Sequence, residues 1–141
     1  LNDFIWWSGL SATEARQAIG LIDSELIKDK FASQELFIHQ NWDKRFKGCE
    51  VLHFLPPFDE YLISYKDRTA AMDKEHHPKA FNNYGTFYPV ILYNGKIVGN
   101  WKKVMKKGEV KCETSFFVDC PELDEKLLEK AESRYKDWGK L

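Results

Sequence analysis

The sequence predicts an α+β fold with mostly antiparallel strands, and three observations carry that prediction. Asn94-Gly95 stands between the apolar runs Pro89–Tyr93 and Lys96–Val104. Both residues tolerate positive φ, so the pair is a strong hairpin signal. From Glu109 to Val118, Val110, Cys112, Thr114, Phe116 and Val118 alternate with Glu109, Lys111, Glu113 and Ser115. That period of two predicts a strand with one buried face. Near the C-terminus, Leu123, Leu127, Leu128, Ala131, Tyr135 and Trp138 recur at helical spacing and make one apolar stripe.

The elements follow in order. Asp3–Leu10 (DFIWWSGL) reads as the second half of a helix broken at Gly9. Ser11 is a candidate N-cap, and Glu14 three residues on completes a capping box. The helix it opens runs from Ala12 to about Ile22, with Ala15, Ala18, Ile19 and Ile22 on one side. Two short strands are expected near Glu25–Phe31 and Glu35–Gln40. Helix, tight turn, helix and two-stranded ribbon is the order of a winged helix that lacks its first helix.

Asn41–Gly48 is a charged linker. The expected organisation is therefore a partial winged helix with linker over 1–48, then a barrel-like domain over 49–141. Val51–Leu55 is the next strand. Pro56 and Pro57 force an extended backbone and stop it. Asp59 or Phe58 then opens a short helix, expected over Asp59–Tyr65, with Asp59 near its start suiting the positive end of the dipole. Asp67 and Arg68 fall where that helix should end. Asp73–Ala80 is polar and reads as an irregular loop. A turn at Lys106–Gly108 separates the last two strands. Pro121 suits the first turn of the final helix, which is expected to cover one face of a small antiparallel sheet or half-barrel.

Composition bounds the function. The 141 residues are 43% hydrophobic and 15% aromatic, enough to bury a sizeable core in one domain or a domain with a partial neighbour. No apolar run approaches the roughly 20 residues of a membrane span, and no signal-peptide pattern is present. The chain opens on Leu1, already inside an apolar pattern, which predicts a piece of a longer protein. Cys49, Cys112 and Cys120 are scattered and odd in number. They predict a reducing, cytoplasmic setting and no disulfide framework. The net charge of -1 gives no global attraction to nucleic acid, but its distribution is uneven. Within Trp101–Lys111, Lys102, Lys103, Lys106, Lys107 and Lys111 face Glu109 alone, while the tail from Asp119 is acid-rich.

Three blocks carry a resemblance. Trp6–Leu10 with Ala12–Ile19 (ATEARQAI) resembles the last winged helix of bacterial winged-helix DNA-binding domain proteins. Phe54–Arg68 (FLPPFDEYLISYKDR) resembles that family's linker into its C-terminal barrel, with Pro56, Pro57, Asp59 and Arg68 as the signature. Tyr84–Lys103 (YGTFYPVILYNGKIVGNWKK) resembles the barrel hairpin that follows. The family includes DNA glycosylases that excise alkylated or crosslinked purines. In those enzymes a glutamine-hydrophobic-glutamine (or aspartate) motif lies upstream of these blocks. Gln17, Gln34 and Gln40 lack that spacing, so no catalytic residue is carried over. The resemblance implies a DNA-binding portion of a glycosylase relative, with duplex DNA and the parent's N-terminal domains as partners and no membrane.

The candidate contacts stand beside plainer readings. Lys102, Lys103, Lys106 and Lys107, with Lys111, would straddle a DNA backbone, while Trp101, Val104 or Met105 probes a groove. The same lysines would equally suit a solvated turn that discourages edge pairing. Arg16 and Gln17 would read bases from the Ser11–Ile22 helix, although Glu14, Asp23 and Glu25 oppose a phosphate backbone. Asp59, Glu60, Asp67 and Arg68 read as a capping network before they read as an acid-base site. His76-His77, His39 and His53 lack metal-ligand spacing, so no metal and no cofactor is expected. The alternative to DNA binding is a structural module packing on the missing N-terminal domains through Trp6, Trp7, Trp42 and Trp101.

Overall fold

The computed structural model describes residues 1–31, 34–42, 50–106, 108–117 and 123–138. The chain forms two compact units. One comprises 1–47 with 64–67, the other 48–63 with 68–141. The architecture is α+β with antiparallel sheets and a C-terminal helix, and the larger sheet is open rather than closed into a barrel. No helix among the described residues is long and apolar enough to cross a membrane.

In the first unit, α1 (Asn2–Ser8) ends at Gly9, whose φ of 72° lets its amide bond to the Ile5 carbonyl. Helix α2 (Ala12–Leu21) begins with a complete capping box. The Ser11 hydroxyl accepts from the Glu14 amide, and the Glu14 carboxylate accepts from the Ser11 amide at 2.9 Å. That hydrogen bonding holds the Glu14 carboxyl below the usual range. Ala15 is the fully buried residue of this helix. Strands β1 (Leu26–Phe31) and β2 (Gln34–His39) pair antiparallel, from Leu26 opposite His39 to Phe31 opposite Gln34. Residues 64–67 return to this unit, where the Lys66 amide bonds to Asp3 Oδ1.

The second unit is built on a sheet in the order β3 (Leu52–Leu55), β4 (Val90–Tyr93), β5 (Lys96–Lys106) and β6 (Glu109–Phe116). Every neighbour pair is antiparallel. The β4–β5 turn is Asn94-Gly95, with φ of 46° and 82°. Asn94 Oδ1 accepts from the Val51 amide and ties the turn to the start of β3. Both faces of the sheet are covered. On one, Leu62, Met72, Ala80, Val90 and Ile97 form a buried cluster. On the other, Leu52, Ile91 and Trp101 pack with Ala131 of α5 (Glu125–Trp138). Arg134 of α5 donates to the Leu52 carbonyl at 2.6 Å and fastens the helix over β3.

A register shift opposite Ile91 and Leu92 leaves Val98 as an extra residue in β5. The bulge changes which face later residues occupy. Ile97 packs in one cluster, whereas Trp101 packs in the other, with α5. Gly99 lies just after it, where a Cβ would come within 2.5 Å of the Ser115 carbonyl oxygen. Only glycine lets β5 and β6 approach that closely.

Two expectations need correction. The segment expected to be an irregular loop over Asp73–Ala80 is a 3-10 turn, Lys74–His76, running into α4 (His77–Ala80). Met72, His76 and Ala80 are buried there, so tertiary packing orders a sequence that reads as polar. The helix expected over Asp59–Tyr65 is one turn, α3 (Glu60–Ile63), because the following residues leave for the first unit.

Candidate nucleic-acid interface

The sheet is uneven in length. Strand β5 has 11 residues, while β3 and β4 have 4 each. Pairing of β5 with β4 ends at Asn100 opposite Val90. From Trp101 to Lys106, β5 continues with β6 alone, as far as Lys106 opposite Glu109. The result is a two-stranded arm growing out of a four-stranded sheet. At the rise of a β-strand its reach is about 17 Å.

The register assigns its side chains to faces. Lys102, Val104 and Lys106 share one face with Glu113, Lys111 and Glu109. Lys103 and Met105 share the other with Cys112 and Val110. Met105 is 65% exposed. Burial and the Glu132 carboxylate push the Cys112 thiol up from its ordinary value. Lys107 lies outside the described residues.

The first face carries its own counter-charge. Glu113 bonds Lys106 at 2.8 Å and Lys102 at 3.0 Å. Hydrogen bonds from Lys106 and then Lys102 pull its carboxyl down to about 2. Two ammonium groups therefore share one carboxylate. Lys103 and Lys111 are exposed and carry no ion pair among the described residues. The opposition to the lysines thus comes from Glu113 as well as Glu109. Counting outward from the expected Lys106–Gly108 turn would have set Cys112 opposite Lys102, so the observed register is what reveals the Glu113 pairing.

Trp101 is not a groove probe. It is 6% exposed, stacks on Phe54 at 5.3 Å and meets Tyr135 edge-on. Its indole N–H donates to the Leu55 carbonyl at 2.8 Å. It also contributes no surface patch, unlike Trp6, Trp7 and Trp42, which are exposed. The reason is the bulge at Val98, which sets Trp101 under α5.

The signature residues follow the end of β3 nearest the arm, where Leu55 pairs with Val90 and Val90 with Asn100. Pro56 and Pro57 follow its last residue. Asp59 then caps α3, accepting from the Tyr61 amide through Oδ1 at 2.9 Å. Arg68 Nε donates to the Leu62 carbonyl at 2.6 Å, and its guanidinium lies over the rings of Phe81 and Phe87. Asp59 is thus held by this loop's backbone, and Arg68 by the Leu62 carbonyl and two rings from the segment after α4. Phe58, between Pro57 and Asp59, has a φ of 59° and is 55% exposed, which the sequence did not signal.

In the first unit, Arg16 and Gln17 are exposed on α2. Arg16 Nη1 reaches the Ala12 carbonyl at 3.4 Å. The nearby acids are engaged: Asp23 pairs with Lys28 at 3.0 Å, and Glu25 meets His39 at 3.3 Å. Leu1, Phe4, Ile19, Ile22 and Leu36 line an apolar groove of about 670 Å³ in this unit. Among the described residues no three His, Cys, Asp or Glu side chains are grouped to hold a metal ion.

The family model for AlkZ-like DNA glycosylases matches residues 1–138. The chain belongs to the AlkZ-like DNA glycosylase family. Among solved structures, the Streptomyces sahachiroi DNA glycosylase AlkZ superposes with a TM-score of 0.74 at 23% identity. The match covers 92% of this chain and 36% of that one, so the chain spans about a third of that AlkZ-like relative. At this identity the likeness is one of fold. Comparison with curated proteins gives no match.

Proposed function

We propose that this chain is a duplex-DNA-binding part of an AlkZ-like repair protein and grips DNA through the β5–β6 arm. The observation that carries this reading is the arm itself. A two-stranded ribbon fits the major groove of B-DNA, and this one extends past the sheet with lysines on both faces. Lys103 and Lys111 are the leading phosphate contacts, because no carboxylate among the described residues holds them. Lys102 and Lys106 must exchange Glu113 for phosphate, and Lys107, next in sequence, completes the basic set.

In the same reading the first unit is a partial winged helix, residues 1–48, with α2 as its recognition helix and Arg16 and Gln17 facing the bases. Residues 49–141 are the barrel-related domain. No residue here is assigned to catalysis; base excision belongs to N-terminal domains of a longer, cytoplasmic parent protein. A second reading rests on the exposed Trp6, Trp7 and Leu21 and on the apolar groove of the first unit. Those N-terminal domains would cover this surface.

Fluorescence anisotropy of a labelled duplex across a salt series tests the DNA reading. Affinity should fall steeply with salt, with a log–log slope near -0.9 for each phosphate neutralised. Absence of binding at low salt would overturn the DNA reading. Self-association of the chain, relieved when the parent's preceding domains are supplied, would support the second.

A further inference from the structure

A cleft of about 360 Å³ opens on the second unit, at β3, the outermost strand of its sheet among the described residues. His53, Phe54, Pro56, Asp59, Arg134 and Tyr135 line it. Contacts to the rest of the unit fix its walls. Phe54 stacks on Trp101, and Tyr135 meets the same indole edge-on at 4.7 Å. Arg134 donates through Nη2 to the Leu52 carbonyl at 2.6 Å and through Nε to the Lys130 carbonyl at 3.4 Å. Asp59 Oδ1 is tied to the Tyr61 amide.

Arg134 and Asp59 therefore share a cleft without pairing. Neither has an ion-pair partner among the described residues, and there Arg134 Nη1 and Asp59 Oδ2 have no hydrogen-bond partner either. Backbone anchors hold the two charges apart, so the cleft offers both a cationic donor and an anionic acceptor. His53 makes no hydrogen bond among the described residues. Burial, and then the Arg134 charge, hold its pKa below the ordinary value, so it is neutral at pH 7.

These groups narrow the ligand. An anion would be repelled by Asp59, and a cation by Arg134. A wholly apolar ligand would strip water from both charges and return no hydrogen bond. The cleft suits a neutral, flat molecule with donors and acceptors on its rim. A nucleobase is such a molecule, since its N–H groups lie beside carbonyl and ring-nitrogen acceptors. In a duplex the pairing edge is taken by the opposite base, so the base that enters must be unpaired. The arm is close by. Trp101, its first residue, backs the Phe54 and Tyr135 walls and donates to the Leu55 carbonyl at 2.8 Å.

We propose that this cleft holds an unpaired DNA base, with Asp59 accepting from the base and Arg134 donating to it. The inference rests on the DNA reading above and adds a base-holding site to the arm's phosphate grip. The site binds and performs no reaction step.

The test uses two labelled duplexes with the same single-nucleotide bulge, at one salt concentration. One bulge bears a base, and the other an abasic sugar at that position. Wild type should favour the base-bearing bulge by about 5-fold to 150-fold, the range of one good base contact. Asp59→Asn keeps an acceptor for the Tyr61 amide, and Arg134→Lys keeps a donor for the Leu52 carbonyl. Each variant should bring the two duplexes toward equal affinity, whereas a loosened fold would weaken both alike. Equal binding of both duplexes by wild type, with the steep salt dependence intact, would overturn this inference and leave the DNA reading standing. A wild-type preference that survives unchanged in either variant would also overturn it. No binding to either duplex would remove both.

Discussion

Glu113→Gln should strengthen DNA binding, and the size of the effect follows from the arm's charges. Glu113 bridges Lys102 and Lys106 at 3.0 and 2.8 Å. With its carboxyl down at about 2, it is ionised at every pH where DNA binding is measured. A phosphate must compete with it for both lysines. Glutamine keeps the shape and removes the charge, leaving one more cation for the DNA. Each added phosphate contact steepens the log–log salt slope by about 0.9, so a fourfold rise in salt should remove about 3.5-fold more affinity from the variant. Anisotropy titrations of both proteins between about 50 and 200 mM salt read this directly. An unchanged slope and affinity would refute the reasoning, because the arm's lysines would not then meet phosphate. The same substitution bears on acid stability. The folded carboxyl titrates below its ordinary value, so its contribution is present above about pH 4.5 and is lost as pH falls through about 2. The pair is exposed and salt-screened, so glutamine should flatten only this acid limb of a melting profile.

Other expectations concern the scaffold. Trp101→Ala should cost about 3–5 kcal/mol in chemical denaturation, because it opens a cavity under α5 and orphans the Leu55 carbonyl; a cost below about 1 kcal/mol would contradict its place in the core. Gly99→Ala should destabilise by about 1–3 kcal/mol, since its Cβ meets the β6 backbone; amide exchange should show faster opening of the arm, and unchanged protection would refute the close approach. Asp59→Ala should lose about 1 kcal/mol through the missing cap on α3. Asp59→Asn should restore most of it in the same melting experiment, and a failure to do so would assign the carboxylate's charge a further role.

Much of this architecture was legible because its determinants are local. The capping box at Ser11 and Glu14 lies within one turn of chain, and Asn94-Gly95 dictates its own hairpin. The alternation of β6 needs no partner to be read. What the sequence hid depends on distant contacts. His76 and Ala80 are ordered by packing that their polar neighbours do not announce. Trp101 was misplaced because one bulged residue, Val98, changes the face of everything after it. The arm's length was underestimated, since the strand was expected to stop at Val104 and the turn to begin at Lys106, whereas β5 runs to Lys106. Glu113 was visible as an outward residue, yet its hold on two lysines required the cross-strand register. Phe58 gave no signal at all, because a positive φ at phenylalanine goes against its residue type.

The arm also explains how a chain of net charge -1 would bind a polyanion. Its lysines are concentrated on a ribbon that projects from the sheet, while acidic residues such as Glu125, Glu129 and Glu132 sit on α5. Attraction is then local and steeply dependent on salt, with little long-range pull from the molecule as a whole.

The most direct test reverses the two arm lysines that no carboxylate among the described residues holds. A Lys103→Glu/Lys111→Glu variant, shown to melt like wild type, should bind duplex DNA more weakly at every salt concentration. Its log–log salt slope should be shallower by about 1.8, two phosphates' worth. A folded variant with wild-type affinity and slope would contradict the claim that this arm is the DNA grip.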